Sequence, residues 1–179
     1  MNMFDAFIER RSIRNYQDRK IPGKDMIKMI EAAHWAPSAG NVNARHFLSV
    51  TDPEVIDAIK ALSPGMFGDP TAIIAMCTDR AKAERKASTN GCLYAIIDVS
   101  MSTQNLLLAA HALGIGTCAI RSFHAKAVGN LLGCPDHVVP ELLVAMGYPK
   151  GTLPKGVRPP LQDLYHEEGW TEGGKRGEE

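Results

Sequence analysis

Three arginines and a serine occur within five residues near the start of the chain, at Arg10, Arg11, Ser12 and Arg14. A guanidinium group donates paired hydrogen bonds to phosphate oxygens and keeps its charge at any working pH, and a serine adds a neutral donor. This spacing indicates a site for one phosphate or another multivalent anion, and therefore an anionic cofactor. An alternative stays open, because the pattern also predicts a short helix from Met3 to Arg10. Two arginines at its end would offset the helix dipole in solvent.

Two later arginines are further candidates. Arg158 lies in Lys155-Gly-Val-Arg-Pro-Pro160, which prolines and glycine keep extended, and Arg121 follows a predicted buried strand. A charge at the end of a strand often points into a pocket, so Arg121 is the more informative of the two. The alternatives are a solvated loop charge for Arg158 and a salt bridge for Arg121.

The loop Ala36-Pro-Ser-Ala-Gly-Asn41 offers short polar groups and accessible backbone amides. Ser38, Gly40 and Asn41 suit hydrogen bonding to a planar heterocycle or a polyol chain. A simple turn from helix to strand explains the same residues equally well. Position 36 is alanine, so the Gly-x-Ser-x-Gly elbow of a hydrolase nucleophile is absent.

Other catalytic and binding motifs fail on their residues. Gly114 and Gly116 follow a predicted helix, and position 119 is alanine, so the dinucleotide-binding Gly-x-Gly-x-x-Gly fingerprint is absent. A helix C-cap followed by a tight turn accounts for both glycines. The four cysteines stand singly, without zinc-ligand spacing, and we expect reduced buried thiols and no metal site.

Hydrophobic periodicity predicts the elements that position these residues. Helices are predicted at about residues 3–10, 25–35, 53–62, 91–113 and 124–132, and strands at about 46–50, 71–77, 117–120 and 142–146. Because helices and strands mix without strict alternation, the fold class is α+β with a mainly antiparallel or mixed sheet. We expect one domain over residues 1–170 and a disordered tail over 171–179.

The helix predicted at 91–113 is the longest, and no formally charged residue lies between Asp98 and Arg121. A membrane span therefore has to be considered. Serine, threonine, glutamine, asparagine and histidine side chains within the helix would be unfavourable in lipid but are tolerated inside a protein. We interpret it as a core helix with neighbours on most sides.

Composition limits the class of protein further. The 179 residues are 45% hydrophobic and 22% charged, with 20 basic and 20 acidic side chains. One sizeable core is expected, and no global basic field favours nucleic acid or a membrane surface as a partner. Asp5 and the lack of a long apolar stretch at the start argue against a signal peptide and predict a cytoplasmic protein.

Taken in order along the chain, these motifs resemble the FMN-dependent nitroreductase-like flavoprotein family. An Arg-Arg-Ser-Ile-Arg run follows the first helix, and the Ala36–Asn41 loop follows the second. The long helix carries the run Asp98-Val-Ser-Met-Ser-Thr-Gln-Asn-Leu-Leu-Leu-Ala-Ala-His-Ala-Leu-Gly-Ile-Gly-Thr117. Gly147-Tyr-Pro149 then leads to Arg158, so the resemblance covers nearly the whole chain.

The resemblance implies a nitroreductase-like fold, with a central mixed, mainly antiparallel sheet and a long buried core helix at a homodimer interface. Two FMN molecules would lie there, each contacted by both chains. Carried over by position, the residues for the phosphate and ribityl chain are Arg10, Arg11, Ser12 and Arg158. Arg14 would lie near the pyrimidine edge and stabilise the reduced flavin. The partner chain would supply Pro37, Ser38, Ala39, Gly40 and Asn41, and the backbone of Ile120, Arg121 and Ser122 would touch the other face or the N5 region.

The implied activity is transfer of hydride from NADH or NADPH through flavin N5 to a nitroaromatic, a quinone or a similar small acceptor, by a ping-pong mechanism. Two alternatives remain. The protein could bind flavin without catalysis, for storage, sensing or delivery, or it could use FMN for a specialised reaction such as dehalogenation or flavin fragmentation.

Two segments depart from the family pattern. Many members have Gln-Pro-Trp where this chain has Asn43-Ala44-Arg45, and Trp-Ile-Gly is frequent where it has Ala119-Ile120-Arg121. We expect both changes to touch the environment of the flavin ring. An additional arginine beside the ring would favour an anionic acceptor.

Overall fold

A four-stranded antiparallel sheet forms the centre of the protein. The computed structural model describes residues 2–87, 90–152 and 155–170, and the predicted tail at 171–179 lies outside the described residues. The strands are β1 (Arg45–Val50), β2 (Ala72–Asp79), β3 (Gly116–Ile120) and β4 (Val138–Gly147), in the order β1-β2-β4-β3. All three pairings are antiparallel, which confirms the α+β class. Within the described residues the sheet is therefore antiparallel and not mixed, and the isolated parallel bridge between Ser12 and Thr117 is not one of its strand pairings.

Six α-helices surround the sheet in the described residues. They are α1 (Met3–Glu9), α2 (Gly23–His34), α3 (Pro53–Ala61), α4 (Arg80–Ala87), α5 (Gly91–Ala112) and α6 (Ala125–Leu131). Sequence periodicity missed α4, because its sequence Arg-Ala-Lys-Ala-Glu-Arg-Lys-Ala has no apolar stripe. The helix forms against α5 and β2, and the Asp79 carboxylate accepts a hydrogen bond from the backbone N–H of Lys82 at its start. In α2, Pro22 is the N-cap and Asp25 lies in the first turn.

Alternation along β2 divides the apolar residues between two cores. Ile74 and Met76 pack with α2 and α5 on one face, whereas Ile73 and Ala75 pack with α3 and α6 on the other. Strand β4 begins at Val138, earlier than the sequence pattern predicted, because Pro140 breaks that pattern. The proline is accommodated beside a register shift between β2 and β4.

Helix α5 packs against α2, α4, α1 and all four strands. By length and composition alone it also matches a membrane span. The interpretation as a core helix is confirmed, although Leu93, Tyr94, Ile96 and Ile97 are exposed in the single chain. The helix therefore presents one apolar face to the sheet and another to its surroundings.

Candidate functional site

The segment 10–14 lies beside β3 and is fixed there by its backbone. The N–H of Ile13 donates to the carbonyl oxygen of Thr117 at 2.9 Å, next to the parallel bridge made by Ser12. The hydroxyl of Tyr16 donates towards the carbonyl oxygens of Ile13 at 2.5 Å and Ala145 at 3.3 Å. Burial raises the pKa of Tyr16, so its hydroxyl keeps the proton that it donates.

Two arginines of this segment, Arg10 and Arg11, lie close to Arg158. We call these three residues the arginine cluster. Burial lowers the pKa of Arg10, and the positive charges of Arg158 and Arg11 lower it further. Gly156 lies so close to Arg11 that a Cβ atom there would be 2.5 Å from its Cζ. The structure thus brings two arginines from the start of the chain together with one 147 positions later.

The arginine cluster has no acidic partner in the described part of the chain. None of its guanidinium groups lies within 4.0 Å of a carboxylate oxygen there. The Nη1 atom of Arg11 donates to the carbonyl oxygens of Ile8 and Arg10, which matches the dipole-offset alternative. Its Nε is buried and has no hydrogen-bond partner among the residues that the structure describes. The described residues therefore give this group of like charges no anionic hydrogen-bond acceptor, and a phosphate has the charge and the oxygen acceptors to serve as one.

The predicted ring-contacting residues gather at the end of β3. The loop at 62–68 contacts both of the segments that carry them. Gly68 packs directly against the backbone carbonyl of Arg14, and the N–H of Gly65 donates to the carbonyl oxygen of Ser122 at 3.1 Å. Arg14 is exposed, and the side chain of Ile120 is buried, so the backbone is what Ile120 can offer a ligand.

Arg121 is also at this end of β3, but it faces a carboxylate. Its Nη2 lies 3.9 Å from Oε2 of Glu141, and 63% of its side chain is exposed. Glu141 is buried and accepts hydrogen bonds from Thr78 at 2.9 Å and from Arg80 at 3.3 Å. The salt-bridge alternative for Arg121 therefore matches the single chain better than a free charge beside the ring.

The residues predicted to come from a partner chain form a separate loop after α2, which we define as the 36–43 loop. The N–H of Ala39 donates to Oδ1 of Asp98 on α5 at 3.0 Å, and the N–H of Asn43 donates to Oγ of Ser38 at 3.1 Å. Gly40, Asn41 and Asn43 have φ angles of 56°, 54° and 52°. Three left-handed residues in four positions make this more than an ordinary turn.

The structure places Arg45, from the Asn43-Ala44-Arg45 departure, beneath the 36–43 loop and not on the exposed surface. Its side chain is 7% exposed and donates to the carbonyl oxygen of Ala36 at 2.6 Å. Sequence reasoning missed this position. The available signal was a charge two residues before Phe47, on the same inward face of β1.

Comparison with known proteins agrees with this architecture. The model of the Nitroreductase family matches residues 8–65 and 58–148. A protein of Archaeoglobus fulgidus, provisionally named NADH dehydrogenase/NAD(P)H nitroreductase, is 40% identical over 147 residues, which are 79% of this chain and 82% of that protein. FMN reductase (NADPH) of Bacillus subtilis is 25% identical, and the aligned region covers 93% of this chain and 73% of that protein.

A solved structure extends the likeness to three dimensions. NfrA1 of B. megaterium superposes with a TM-score of 0.87 at 26% identity, over 94% of this chain and 75% of that one. Sequence and structure thus agree over most of the described residues, and the chain belongs to the nitroreductase family.

Proposed function

We propose that this protein is an FMN-dependent NAD(P)H oxidoreductase. The observation that carries the proposal is the arginine cluster, three guanidinium groups without an acidic partner in the described residues. The names of its relatives support it, since one is an FMN reductase that uses NADPH and another carries the name NAD(P)H nitroreductase. A chain of this family with such a site is expected to hold FMN by its phosphate.

Bound FMN would accept hydride from NADH or NADPH and pass it to a small acceptor such as a nitroaromatic or a quinone, in ping-pong order. The chain's own contribution is placement and electrostatics. The arginine cluster and Ser12 would hold the phosphate and ribityl chain. The exposed cation of Arg14 would lie at the ring and favour its electron-rich form, so Arg14→Met should slow reduction more than it weakens FMN binding.

We further propose a homodimer with FMN at the interface. Large apolar side chains are exposed on α1 and α5, and Trp35, at the end of α2, is 83% exposed. A second copy would remove these surfaces from water. Among the described residues, the hydrogen bonds of the 36–43 loop to other parts of the chain go to the end of α2, to α5, to Arg45 and to Lys82, not to the arginine cluster. That loop is therefore free to reach the FMN of a partner, and light scattering should give twice 19.5 kDa. We expect the dimer to work in the cytoplasm.

Flavin binding tests the proposal directly. Arg158→Met should weaken FMN about tenfold or more, because it removes a charge-assisted hydrogen bond to phosphate, and should leave riboflavin affinity unchanged. The matched control is Arg85→Met, on the exposed surface of α4. Quenching of flavin fluorescence measures both affinities. A wild-type protein that binds neither flavin would refute the proposal.

Reduction separates catalysis from flavin storage. Anaerobic addition of NADH or NADPH to the FMN-loaded protein should bleach the flavin absorbance. Persistent yellow colour with both nucleotides would support the non-catalytic alternative instead. Trials with nitroaromatic and quinone acceptors, each mixed with the reduced protein, would then identify the acceptor class.

A further inference from the structure

We propose that Arg45 is a positioning residue that closes the 36–43 loop and holds it in the shape that contacts flavin. The inference rests on the proposed function, in which this loop meets the FMN of the partner. It concerns a residue where this chain departs from the family pattern, so it goes beyond the binding residues that the resemblance implies.

The guanidinium group of Arg45 joins the two ends of the loop. Its Nη2 donates to the carbonyl oxygens of His34 at 2.9 Å and Ala36 at 2.6 Å, and to Oδ1 of Asn43 at 2.9 Å. Its Nη1 donates to the carbonyl oxygen of Pro37 at 3.1 Å. One planar group therefore fixes the end of α2, the start of the loop and the residue that ends it.

The same group also attaches the loop to α5. Nη1 of Arg45 donates to Oγ of Ser102 at 2.7 Å, and that hydroxyl donates to the carbonyl oxygen of Asp98 one turn earlier. The Asp98 carboxylate in turn accepts the N–H of Ala39 from the loop. Loop and helix are thus connected twice, through Arg45 and through Asp98.

Simple filling of space does not explain an arginine here. Burial lowers the pKa of Arg45, and the negative charge of Asp98 offsets this only in part, since among the described residues no carboxylate lies within 4.0 Å of the guanidinium group. Burying a cation without an ion pair is unfavourable unless its hydrogen bonds compensate for the lost hydration. The loop above Arg45 contains two strained residues, because Asn41 and Asn43 have left-handed φ angles, and the hydrogen bonds of Arg45 hold this loop in place. Tryptophan, with one donor, could not make these bonds.

Arg45→Met tests the inference because methionine fills much of the volume without donating a hydrogen bond. Loss of the charge-assisted hydrogen bonds from Arg45 should disorder the 36–43 loop. Affinity for FMN and for riboflavin should then both fall, by about tenfold or more. This differs from Arg158→Met, which should affect FMN alone. Arg45→Lys, with three donors on one ammonium group, should restore part of the affinity, and Arg85→Met is the matched control.

Two more measurements separate positioning from stability. Flavin affinity is measured well below the unfolding midpoint of each variant, and visible circular dichroism reports whether bound flavin keeps its asymmetric surroundings. Should Arg45→Met fail to fold, Ser102→Ala removes one bond of the same guanidinium without leaving a buried charge, and its affinity for both flavins should fall by about threefold.

The outcomes are distinct for the two proposals. Wild-type flavin affinity and an unchanged dichroism spectrum in Arg45→Met, or in Ser102→Ala where that variant replaces it, would overturn the role of Arg45 and leave the proposed function intact. Failure of the wild-type protein to bind either flavin would overturn the proposed function. A loss of both flavins in Arg45→Met, with partial recovery in Arg45→Lys, would support the positioning role.

Discussion

Replacing Gly116 by alanine, compared with a control variant at Gly114, should distinguish an effect on flavin binding from a general loss of stability. Gly116 begins β3 and lies against Ile13, in the middle of the arginine-bearing segment. A methyl group at this position would be 2.8 Å from Cβ of Ile13 and 2.9 Å from both of its γ carbons. These atoms belong to a stiff, β-branched side chain close to its own backbone, so they cannot rotate away.

The size of the effect follows from these distances. Carbon atoms in contact normally stay about 3.5–4.0 Å apart, so the new methyl group requires a shift of about 0.7 Å or more. Overpacking of this kind destabilises proteins by about 1–3 kcal/mol. The shift also moves Ser12 and the neighbouring arginines away from β3. We therefore expect FMN affinity to fall about tenfold, because charge-assisted hydrogen bonds depend steeply on geometry.

Gly114→Ala is the matched control two residues away. Gly114 has a φ of 73°, and apart from its chain neighbours no described residue has an atom within 4 Å of the position that a methyl group would take there. Alanine at this position therefore meets backbone strain alone. That strain is about 1–2 kcal/mol. Both variants should therefore lower the free energy of unfolding in denaturant titrations, whereas Gly116→Ala alone should weaken FMN in fluorescence titrations.

A double variant completes the test. Ile13→Ala removes both γ carbons, so it should relieve part of the overlap created by Gly116→Ala. The combined loss of stability should then be smaller than the sum of the two single losses. Additive losses, or unchanged FMN affinity in Gly116→Ala, would refute the argument that this contact sets the position of the arginines.

Two more predictions concern titratable groups. Burial raises the pKa of Cys77 to about 12, with a smaller contribution from the neighbouring Cys134. Iodoacetamide should therefore leave Cys77 unlabelled in the native protein at neutral pH and label it after denaturation. Peptide mass analysis measures the labelling, and labelling of the native protein would contradict the burial argument. Burial of Asp79 opposes ionisation, but the hydrogen bond from the Lys82 N–H and the attraction of His46, whose Nε2 lies 3.6 Å from Oδ2, outweigh it. The pKa of Asp79 therefore lies below the ordinary 3.8. The resulting stability is complete above that ordinary value and is lost as the pH falls through the lower folded value. Asp79→Asn should therefore weaken the fold at neutral pH and flatten acid unfolding below about pH 4, and an acid profile equal to wild type would exclude this role.

The strongly patterned elements were predictable because their sequences record which side is buried. Helices α2 and α3 have an apolar stripe, and β2 is a continuous apolar run, so periodicity located them within a few residues. Helix α4 leaves no such record, because charged residues fill it and contact with α5 decides its conformation. The expectation of four buried thiols was half right, since Cys92 and Cys134 are partly exposed.

The two glycines after α5 show how a single pattern can hide two causes. Both were predicted to serve a C-cap and a tight turn. Gly114 does so, with its positive φ. Gly116 has a different reason, which is the close approach of Ile13 from a segment about a hundred positions earlier. Such a contact cannot be predicted from local sequence, because no residue near Gly116 in the chain indicates that Ile13 packs against it.

The candidate site divides in the same way. Arg10, Arg11 and Arg14 were found because they are adjacent in sequence, and local density of charge is visible there. The addition of Arg158 came from the family resemblance, and its electrostatic effect on Arg10 now supports it. The inward position of Arg45 could be predicted from the β1 pattern, but its proposed positioning role could not, because its acceptors are mostly backbone carbonyls, which every residue carries.

A net charge of zero conceals how unevenly charge is distributed in this chain. Buried Glu141 faces Arg80 and Arg121, and Asp69 faces Lys60, so these carboxylates have cationic partners of their own. The arginine cluster receives no such partner among the described residues, and its charges lower the pKa of Arg10 together with burial. Repulsion of this kind raises the free energy of the protein without ligand, and a phosphate dianion bound as proposed would relieve it. Balanced composition therefore argues against a general affinity for polyanions, and the arginine cluster is the local site that we propose for a small anion.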